Sequence, residues 1–139
     1  MSLIGTPLYT AKIHTTGGRE NGISRSSDGR LDVRLSTPGS PRIGTNPEQL
    51  FAVGWSACFA SAIADAAGKK KISLPAGVAI DAEVDLNLVD GGYLLRTRLN
   101  ISMAGIEREA ARALVDEAHQ ICPYSKATRG NIDITINLV

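Results

Sequence analysis

The stretch GTNPEQLFAVGWSACFASAIAD, residues 44–65, organises the rest of the chain. Asn46 is a favourable N-cap residue, Pro47 suits the first helical position, and Gln49 completes the spacing of a capping box. These signals predict that a helix begins here. Gly68, followed by three lysines, predicts where it ends, because cations stabilise the C-terminal end of a helix dipole.

The middle of this predicted helix carries no charge. Residues 50–64 are apolar or small, which is typical of a helix packed closely inside a protein core. A membrane-spanning helix needs roughly 20 apolar residues, whereas this run is bounded closely by Glu48 and Asp65. We therefore predict a buried core helix with Cys58 near its centre.

Composition indicates one ordinary globular domain covering residues 1–139. With 43% hydrophobic residues, 21% charged residues and a net charge of +1, the chain is not basic enough for a dedicated nucleic-acid binder. The first residues, MSLIGTPLYTAK, lack the basic and apolar segments of a secretory signal. We therefore expect a cytoplasmic protein without a membrane or nucleic-acid partner.

The remaining segments carry strand and helix patterns. Apolar–polar alternation predicts strands, and an apolar stripe in residues 107–121 predicts a second, amphipathic helix that Pro123 ends. The predicted strands are residues 8–15, 23–27, 31–35, 78–89, 93–103 and 132–138, with turns at 17–18, 28–29 and 90–92 and a loop at 36–45. The expected fold class is α+β, with largely antiparallel sheets, a buried central helix and a second helix.

Two cysteines, Cys58 and Cys122, are too few for a disulfide scaffold. Cys58 has two interpretations, an inert buried thiol or a reactive thiolate. A thiolate needs a nearby cation, and Arg19, directly after a double-glycine turn, is a candidate. Arg19 also fits an ordinary surface residue, and Glu48 is favoured in the first helical turn by the dipole alone.

Spacing constrains any site that Glu48 and Cys58 share. On a continuous helix, residues ten positions apart stand about 15 Å apart along the axis and about 80° out of phase. The two side chains therefore cannot meet within one unbroken helix. Either Glu48 comes from a second subunit, which we favour because small residues allow close helix packing across a two-fold axis, or the helix breaks near Gly54.

Three other patterns are weaker. GWSAC resembles the G-x-S-x-G nucleophile elbow of hydrolases, but Cys58 replaces the final glycine and the segment lies within a predicted helix, so a Ser56 hydrolase is disfavoured. His119 lies three residues before Cys122, yet a histidine in the last turn of a helix is usually explained by the dipole. The two histidines, His14 and His119, form no metal-ligand motif, and we expect no bound metal.

Three segments resemble the organic hydroperoxide resistance (Ohr) proteins of the Ohr/OsmC superfamily. They are GTNPEQLF, the Cys58 context GWSACFASA, and CPYSKATRGN. The likeness extends from YTAKIHTTGGRENG through SSDGRLDVRLSTP to the last strand, and CPYS with ATRG is more similar to the Ohr branch than to the OsmC branch. The resemblance implies an OsmC-like fold and an intertwined homodimer with two active sites at its interface.

By position, the resemblance also implies a cysteine-based peroxidase that reduces organic hydroperoxides to alcohols. Cys58 corresponds to the peroxidatic cysteine, which becomes a sulfenic acid, and Cys122 to the resolving cysteine, which forms a disulfide with it. Arg19 and Glu48 correspond to the residues that complete the site. The family further implies re-reduction by a dithiol, such as dihydrolipoamide or a lipoylated protein, with no bound cofactor.

Several residues bear on substrate choice. Trp55 stands where a tyrosine is commoner in the family, and the loop SPRIG is shorter and less glycine-rich than is usual there. The apolar residues Phe51, Val53, Trp55 and Phe59 predict an apolar approach to Cys58, which would favour organic hydroperoxides over hydrogen peroxide.

Two alternative functions stay open. The first is an OsmC-branch peroxidase with the same chemistry and different substrates. The second is a non-catalytic redox sensor or small-molecule-binding domain, in which Cys58 and Cys122 form a reversible disulfide. Arg19 and Glu48 discriminate between these classes, because a sensor does not need to polarise a peroxide.

Overall fold

The computed structural model describes residues 4–139 and divides into two compact units, one that ends at Pro47 and one that spans Glu48–Val139. The elements in chain order are β1 (Ile13–Thr16), α1 (Gly18–Asn21), β2 (Ile23–Ser26), β3 (Asp32–Arg34), α2 (Pro47–Lys69), β4 (Ala79–Val89), β5 (Gly92–Ser102), α3 (Arg108–Ile121), α4 (Pro123–Thr128) and β6 (Asp133–Leu138). The predicted α+β class is confirmed.

The first unit contains an antiparallel sheet in the order β1-β2-β3. β1 begins at Ile13 rather than at residue 8, because β2 offers only four residues with which it pairs. The predicted turn at residues 17–18 is the start of α1, which carries Arg19. Gly17 has a φ of +80°, and a Cβ there would lie 2.6 Å from the carbonyl oxygen of Asn21, so only glycine fits.

Arg42 fixes the predicted loop at residues 36–45 to the end of α1. Its guanidinium donates hydrogen bonds to the carbonyl oxygens of Leu35 at 3.0 Å and Gly22 at 3.1 Å, and a longer one to that of Asn21 at 3.4 Å. Leu35 and Thr45 also form an isolated parallel bridge. The loop is therefore held beside the turn that presents Arg19.

The second unit contains a mixed sheet in the order β4-β5-β6. β4 and β5 pair antiparallel from end to end and are joined by Asp90 and Gly91, whose φ values of 50° and 78° are those of a type I′ turn. β6 pairs parallel to β5, so it is the exception to the antiparallel sheets that the sequence predicts. A parallel neighbour needs a long crossover, and α3 and α4 supply it.

The hydrophobic core of the second unit is formed by α2, α3 and the inward face of β5. α3 buries one stripe, as its sequence pattern predicts. The largest fully buried apolar side chains are Trp55, Phe59, Ile63, Leu99, Ile101, Leu114 and Val115. Cys122 belongs to this cluster, and Cys58 packs against it.

Within its own chain, α2 is buried along one face. The residues on that face are Trp55, Phe59, Ala62, Ile63, Ala66 and Ala67. On the other side, Val53 is 65% exposed, and Ala57 and Ser61 are also exposed. Among residues 4–139, α2 is the one helix whose length and composition would allow it to cross a membrane. Core helices of soluble proteins can have the same length and composition. Because one face of α2 is buried, we assign this helix to the core.

Candidate functional site

Cys58 lies in the middle of α2, which runs unbroken through Gly54. The alternative in which the helix breaks near Gly54 is therefore wrong, because a glycine inside a well-packed helix keeps its hydrogen bonds. Glu48 lies in the first turn of α2 and is partly buried. Since the helix is continuous, Glu48 stands about 15 Å along the axis from Cys58 of the same chain.

Cys122 occupies the corner between α3 and α4. Its N–H donates to the carbonyl oxygen of Ala118 at 2.9 Å, and its own carbonyl oxygen accepts the N–H of Lys126 at 2.9 Å. Pro123 ends α3, as predicted, but it also begins α4, a short helix that the sequence pattern does not predict. Proline suits a first helical position because its absent N–H would have had no helical partner. The corner places the Cys122 side chain in the core, fully buried.

The structure brings the two thiols together. Burial raises the pKa of Cys58 above its ordinary value, and the neighbouring Cys122 raises it further through its charge and a thiol–thiol hydrogen bond. The backbone N–H of Tyr124 acts in the opposite direction and lowers this pKa. Cys58 is partly exposed and Cys122 is buried. The two thiols are therefore close neighbours at the edge of the core.

α4 packs along the face of α2 that carries Cys58. The Tyr124 ring lies directly over Gly54, and its centroid is 6.2 Å from that of Phe51 in an edge-on arrangement. Trp55 Nε1 donates to Ser125 Oγ at 3.2 Å inside the core. Tyr124 and Ser125 were not singled out from the sequence, although both belong to the CPYS segment next to Cys122.

Gly54→Ala is expected to lower the free energy of unfolding by about 1–3 kcal/mol. The added methyl would overlap Tyr124 Oη and would lie 2.9 Å from Cζ, so the ring must be displaced. Urea unfolding of the reduced protein measures the effect. Gly68→Ala is the matched control in the same helix, because a Cβ there meets nothing within 4 Å, and it is expected to stabilise by up to about 1 kcal/mol. Equal effects of the two variants would contradict close packing at Gly54.

Arg19 lies in α1 and is partly exposed. It belongs to the compact unit that ends at Pro47, whereas Glu48, Cys58 and Cys122 belong to the other unit. The turn that carries Arg19 is well defined. It begins at Gly17, where only glycine fits, and it ends at Gly22, whose carbonyl oxygen accepts a hydrogen bond from Arg42. Arg19 is therefore a cation on a constrained segment.

Ser56 and His119, which the sequence patterns made weaker candidates, have ordinary structural surroundings. Ser56 Oγ donates to the carbonyl oxygen of Ala52 at 2.7 Å within α2, so its hydroxyl sits mid-helix and not on a strand-to-helix elbow. The His119 ring lies near Phe59, with centroids 6.4 Å apart. Burial, followed by the charge of Arg129, lowers the pKa of His119, which favours the neutral imidazole. Among residues 4–139, no cluster of three or more potential metal ligands occurs.

The predicted apolar approach to Cys58 is only partly realised. Trp55 and Phe59 are completely buried in the core, so they cannot line a path from solvent. Val53 is 65% exposed and Phe51 is partly buried. The substitution of Trp for the commoner Tyr at position 55 therefore concerns the interior of the protein rather than the entrance to the thiol.

Sequence comparisons establish the family. The family described as OsmC-like protein matches residues 37–137. The organic hydroperoxide resistance protein of Xanthomonas axonopodis pv. citri is 49% identical over 135 residues, which cover 94% of each chain. The protein OhrA of Bacillus subtilis, also named for organic hydroperoxide resistance, is 40% identical and covers 95% of this chain and 96% of its own. The chain therefore belongs to the OsmC family.

Solved structures agree with this assignment. A crystal structure described as an organic hydroperoxide resistance protein OsmC from Legionella pneumophila has a TM-score of 0.89 at 42% identity, covering 96% of this chain and 98% of its own. The organic hydroperoxide resistance protein OhrB of Bacillus subtilis also has a TM-score of 0.89, at 40% identity, covering 96% and 100%. The resemblance to the Ohr branch and the OsmC-like fold are thus confirmed.

Proposed function

We propose that this chain is a thiol peroxidase that reduces organic hydroperoxides to alcohols. The observation that carries the proposal is the contact between a partly exposed thiol, Cys58, and a fully buried one, Cys122. In the proposed cycle a peroxide reaches the first thiol, and the second, its close neighbour, reacts with the product. The names of the relatives, which refer to organic hydroperoxide resistance, support the substrate class.

In the proposed first step, the Cys58 thiolate attacks the terminal oxygen of the hydroperoxide. The O–O bond breaks, the alkoxide leaves as an alcohol after taking a proton, and Cys58 becomes a sulfenic acid. Burial and Cys122 raise the pKa of Cys58, so the thiolate needs a compensating cation. We assign that role to Arg19, which would also polarise the peroxide, and assign to Glu48 the orientation of the guanidinium.

In the proposed second step, the Cys122 thiol attacks the sulfenic acid of Cys58. A disulfide forms and water leaves. A dithiol such as dihydrolipoamide, either free or on a lipoylated protein, then reduces the disulfide by thiol–disulfide exchange. The cycle requires no bound metal, haem or other cofactor.

The proposed assembly is an intertwined homodimer of single-domain chains, residues 1–139, in the cytoplasm. Two features support it. The unbroken α2 keeps Glu48 away from Cys58 of its own chain, and the open side of α2 carries the exposed Val53 with the small residues Ala57 and Ser61. Such a surface suits close helix packing across a two-fold axis, where Glu48 would serve the site of the second subunit.

Steady-state consumption of tert-butyl hydroperoxide with dihydrolipoamide as electron donor tests the proposed function. We expect many turnovers per chain, and a higher kcat/KM for tert-butyl or fatty-acid hydroperoxides than for hydrogen peroxide, because the apolar side chain of Phe51 lies on the same face of α2 as Cys58. A clear preference for hydrogen peroxide would contradict the substrate class. Oxidation that stops after one equivalent with every dithiol donor would contradict an enzyme.

The same pair of thiols also supports the alternative of a redox sensor, in which Cys58 and Cys122 form a disulfide once per stimulus. A sensor would consume one equivalent of peroxide per chain and would tolerate the loss of Arg19. An OsmC-branch peroxidase would turn over but would prefer other peroxides. Turnover number and substrate preference therefore separate the three possibilities.

A further inference from the structure

A buried hydrogen bond joins α2 and α4 close to the two thiols. Trp55 Nε1 donates to Ser125 Oγ at 3.2 Å, and both residues are fully buried. Trp55 lies three residues before Cys58 on α2, and Ser125 lies three residues after Cys122 on α4. The hydrogen bond and the thiol pair are thus two neighbouring connections between the same two helices, about one helical turn apart along α2.

The position of α4 determines the position of Cys122. Cys122 is the N-cap residue of α4, and its carbonyl oxygen accepts the first hydrogen bond of that helix, from the N–H of Lys126. A shift of α4 relative to α2 therefore moves Cys122 relative to Cys58. The Trp55–Ser125 bond resists such a shift, because breaking it would leave an indole N–H unpaired in the core.

We propose that Trp55 and Ser125 are positioning residues that set the rate at which the Cys58–Cys122 disulfide closes. This inference rests on the proposed function. In the step concerned, the sulfur of Cys122 attacks the sulfenic sulfur of Cys58, an S–S bond replaces the S–O bond, and the thiol proton and the hydroxide leave as water. Both side chains are fully buried, so we expect the preceding step, in which a peroxide arrives from solvent, not to depend on them.

The geometric demands of a disulfide make this positioning effective. The two Cα atoms must lie within about 4.4–6.8 Å, with a restricted dihedral angle about the S–S bond. α4 has only six residues, and helices this short are marginal unless tertiary contacts hold them. The Trp55–Ser125 bond and the packing of Tyr124 on Gly54 are such contacts. The hydrogen bond therefore raises the effective concentration of Cys122 at Cys58.

Rapid-quench kinetics of Ser125→Ala test the inference. Reduced protein is mixed with tert-butyl hydroperoxide, and dimedone, which reacts with sulfenic acids, traps Cys58 before closure. We expect sulfenic acid to form at the wild-type rate and the disulfide to close about tenfold more slowly, in line with the loss of one buried hydrogen bond. Closure of Ser125→Ala at the wild-type rate would overturn the inference.

A matched core variant separates positioning from general loss of stability. Ile63→Val removes one methyl from a fully buried residue of the same helix and costs about 0.5–1.5 kcal/mol, comparable to a hydrogen bond. We expect it to close at the wild-type rate, and an equal slowing in this control would overturn the inference. If Ser125→Ala does not fold, Trp55→Phe/Ser125→Ala replaces it, because that pair leaves no unpaired donor, and its closure should remain slow.

A peroxide-free measurement distinguishes failure of the inference from failure of the proposed function. In a dithiothreitol redox buffer, the equilibrium constant for the Cys58–Cys122 disulfide depends on how well the thiols are placed. We expect that constant to fall about tenfold in Ser125→Ala and to stay unchanged in Ile63→Val. If Cys58 does not react with hydroperoxides, the proposed function fails, whereas an unchanged constant in Ser125→Ala defeats the positioning role.

Discussion

Replacement of Cys58 by serine is expected to abolish hydroperoxide reduction, with a loss in kcat of more than about 10³-fold. A serine hydroxyl is not ionised near neutral pH and is a far weaker nucleophile than a thiolate. Cys58 is partly exposed, and the isosteric change leaves its neighbours in α2 in place. Consumption of tert-butyl hydroperoxide with dihydrolipoamide, measured beside the unfolding free energy of the same sample, provides the readout.

Cys122→Ser is the matched control for this variant. Both variants change one sulfur to oxygen in the same thiol pair, but Cys122 acts only after the first step in the proposed cycle. We expect Cys122→Ser to consume the first equivalent of hydroperoxide at the wild-type rate and to accumulate a Cys58 sulfenic acid. Full activity in Cys58→Ser, or loss of the first step in Cys122→Ser, would contradict the assigned order of the two cysteines.

Arg19→Ala is expected to slow the first step at pH 7 by about 10- to 100-fold, the value of one charge-assisted hydrogen bond. Burial and Cys122 raise the pKa of Cys58 above its ordinary value of 9.0, and the proposed guanidinium opposes both. Without it, the pKa rises and a smaller fraction of Cys58 is thiolate at neutral pH. The rate should therefore recover as the pH rises through the higher pKa of the variant.

The pH dependence of Cys58 alkylation measures this effect directly when Cys122 is replaced by serine. We expect the midpoint to move to higher pH in Arg19→Ala. Arg25→Ala is the control, because Arg25 lies in the same unit, is largely exposed and pairs with Asp32 at 3.1 Å on the surface. A midpoint that is the same with and without Arg19 would show that another group stabilises the thiolate, and would favour a redox sensor over a peroxidase.

The helices and strands with strong local signals could be predicted from the sequence. α2 begins at Pro47, because the capping signals of Asn46 and Gln49 act within one turn. The long hairpin of β4 and β5 follows from its alternation and from the glycine after Asp90, which adopts a left-handed conformation. Local chemistry decides these features, so a single sequence reveals them.

The features that depend on distant contacts could not be predicted in the same way. α4 has six residues, too few to show a helical period, and from the sequence alone Pro123 indicates only the end of α3. The partner of the Trp55 indole, Ser125, lies far along the chain. The parallel pairing of β6 depends on where the crossover returns to the sheet. The one-sided burial of α2 is likewise a property of packing rather than of composition.

In the candidate site, too, some residues could be identified from the sequence and others could not. The resemblance to the Ohr branch selected Cys58 and Cys122, and the structure places these two thiols in contact. The roles of Arg19 and Glu48 remain predictions. Tyr124 was missed because its contribution to the thiol comes from a backbone N–H, which any residue except proline would supply at that position.

Mapping of the thiols after one equivalent of hydroperoxide tests the central claim most directly. Fully reduced wild-type protein is treated with tert-butyl hydroperoxide, the remaining thiols are alkylated, and the digested chain is analysed by mass spectrometry without reduction. Our account predicts that both thiols disappear together and that one peptide pair, joined through Cys58 and Cys122 of the same chain, accounts for the product. Recovery of alkylated Cys122 together with over-oxidised Cys58, or of a disulfide that joins Cys58 residues of two chains, would contradict it.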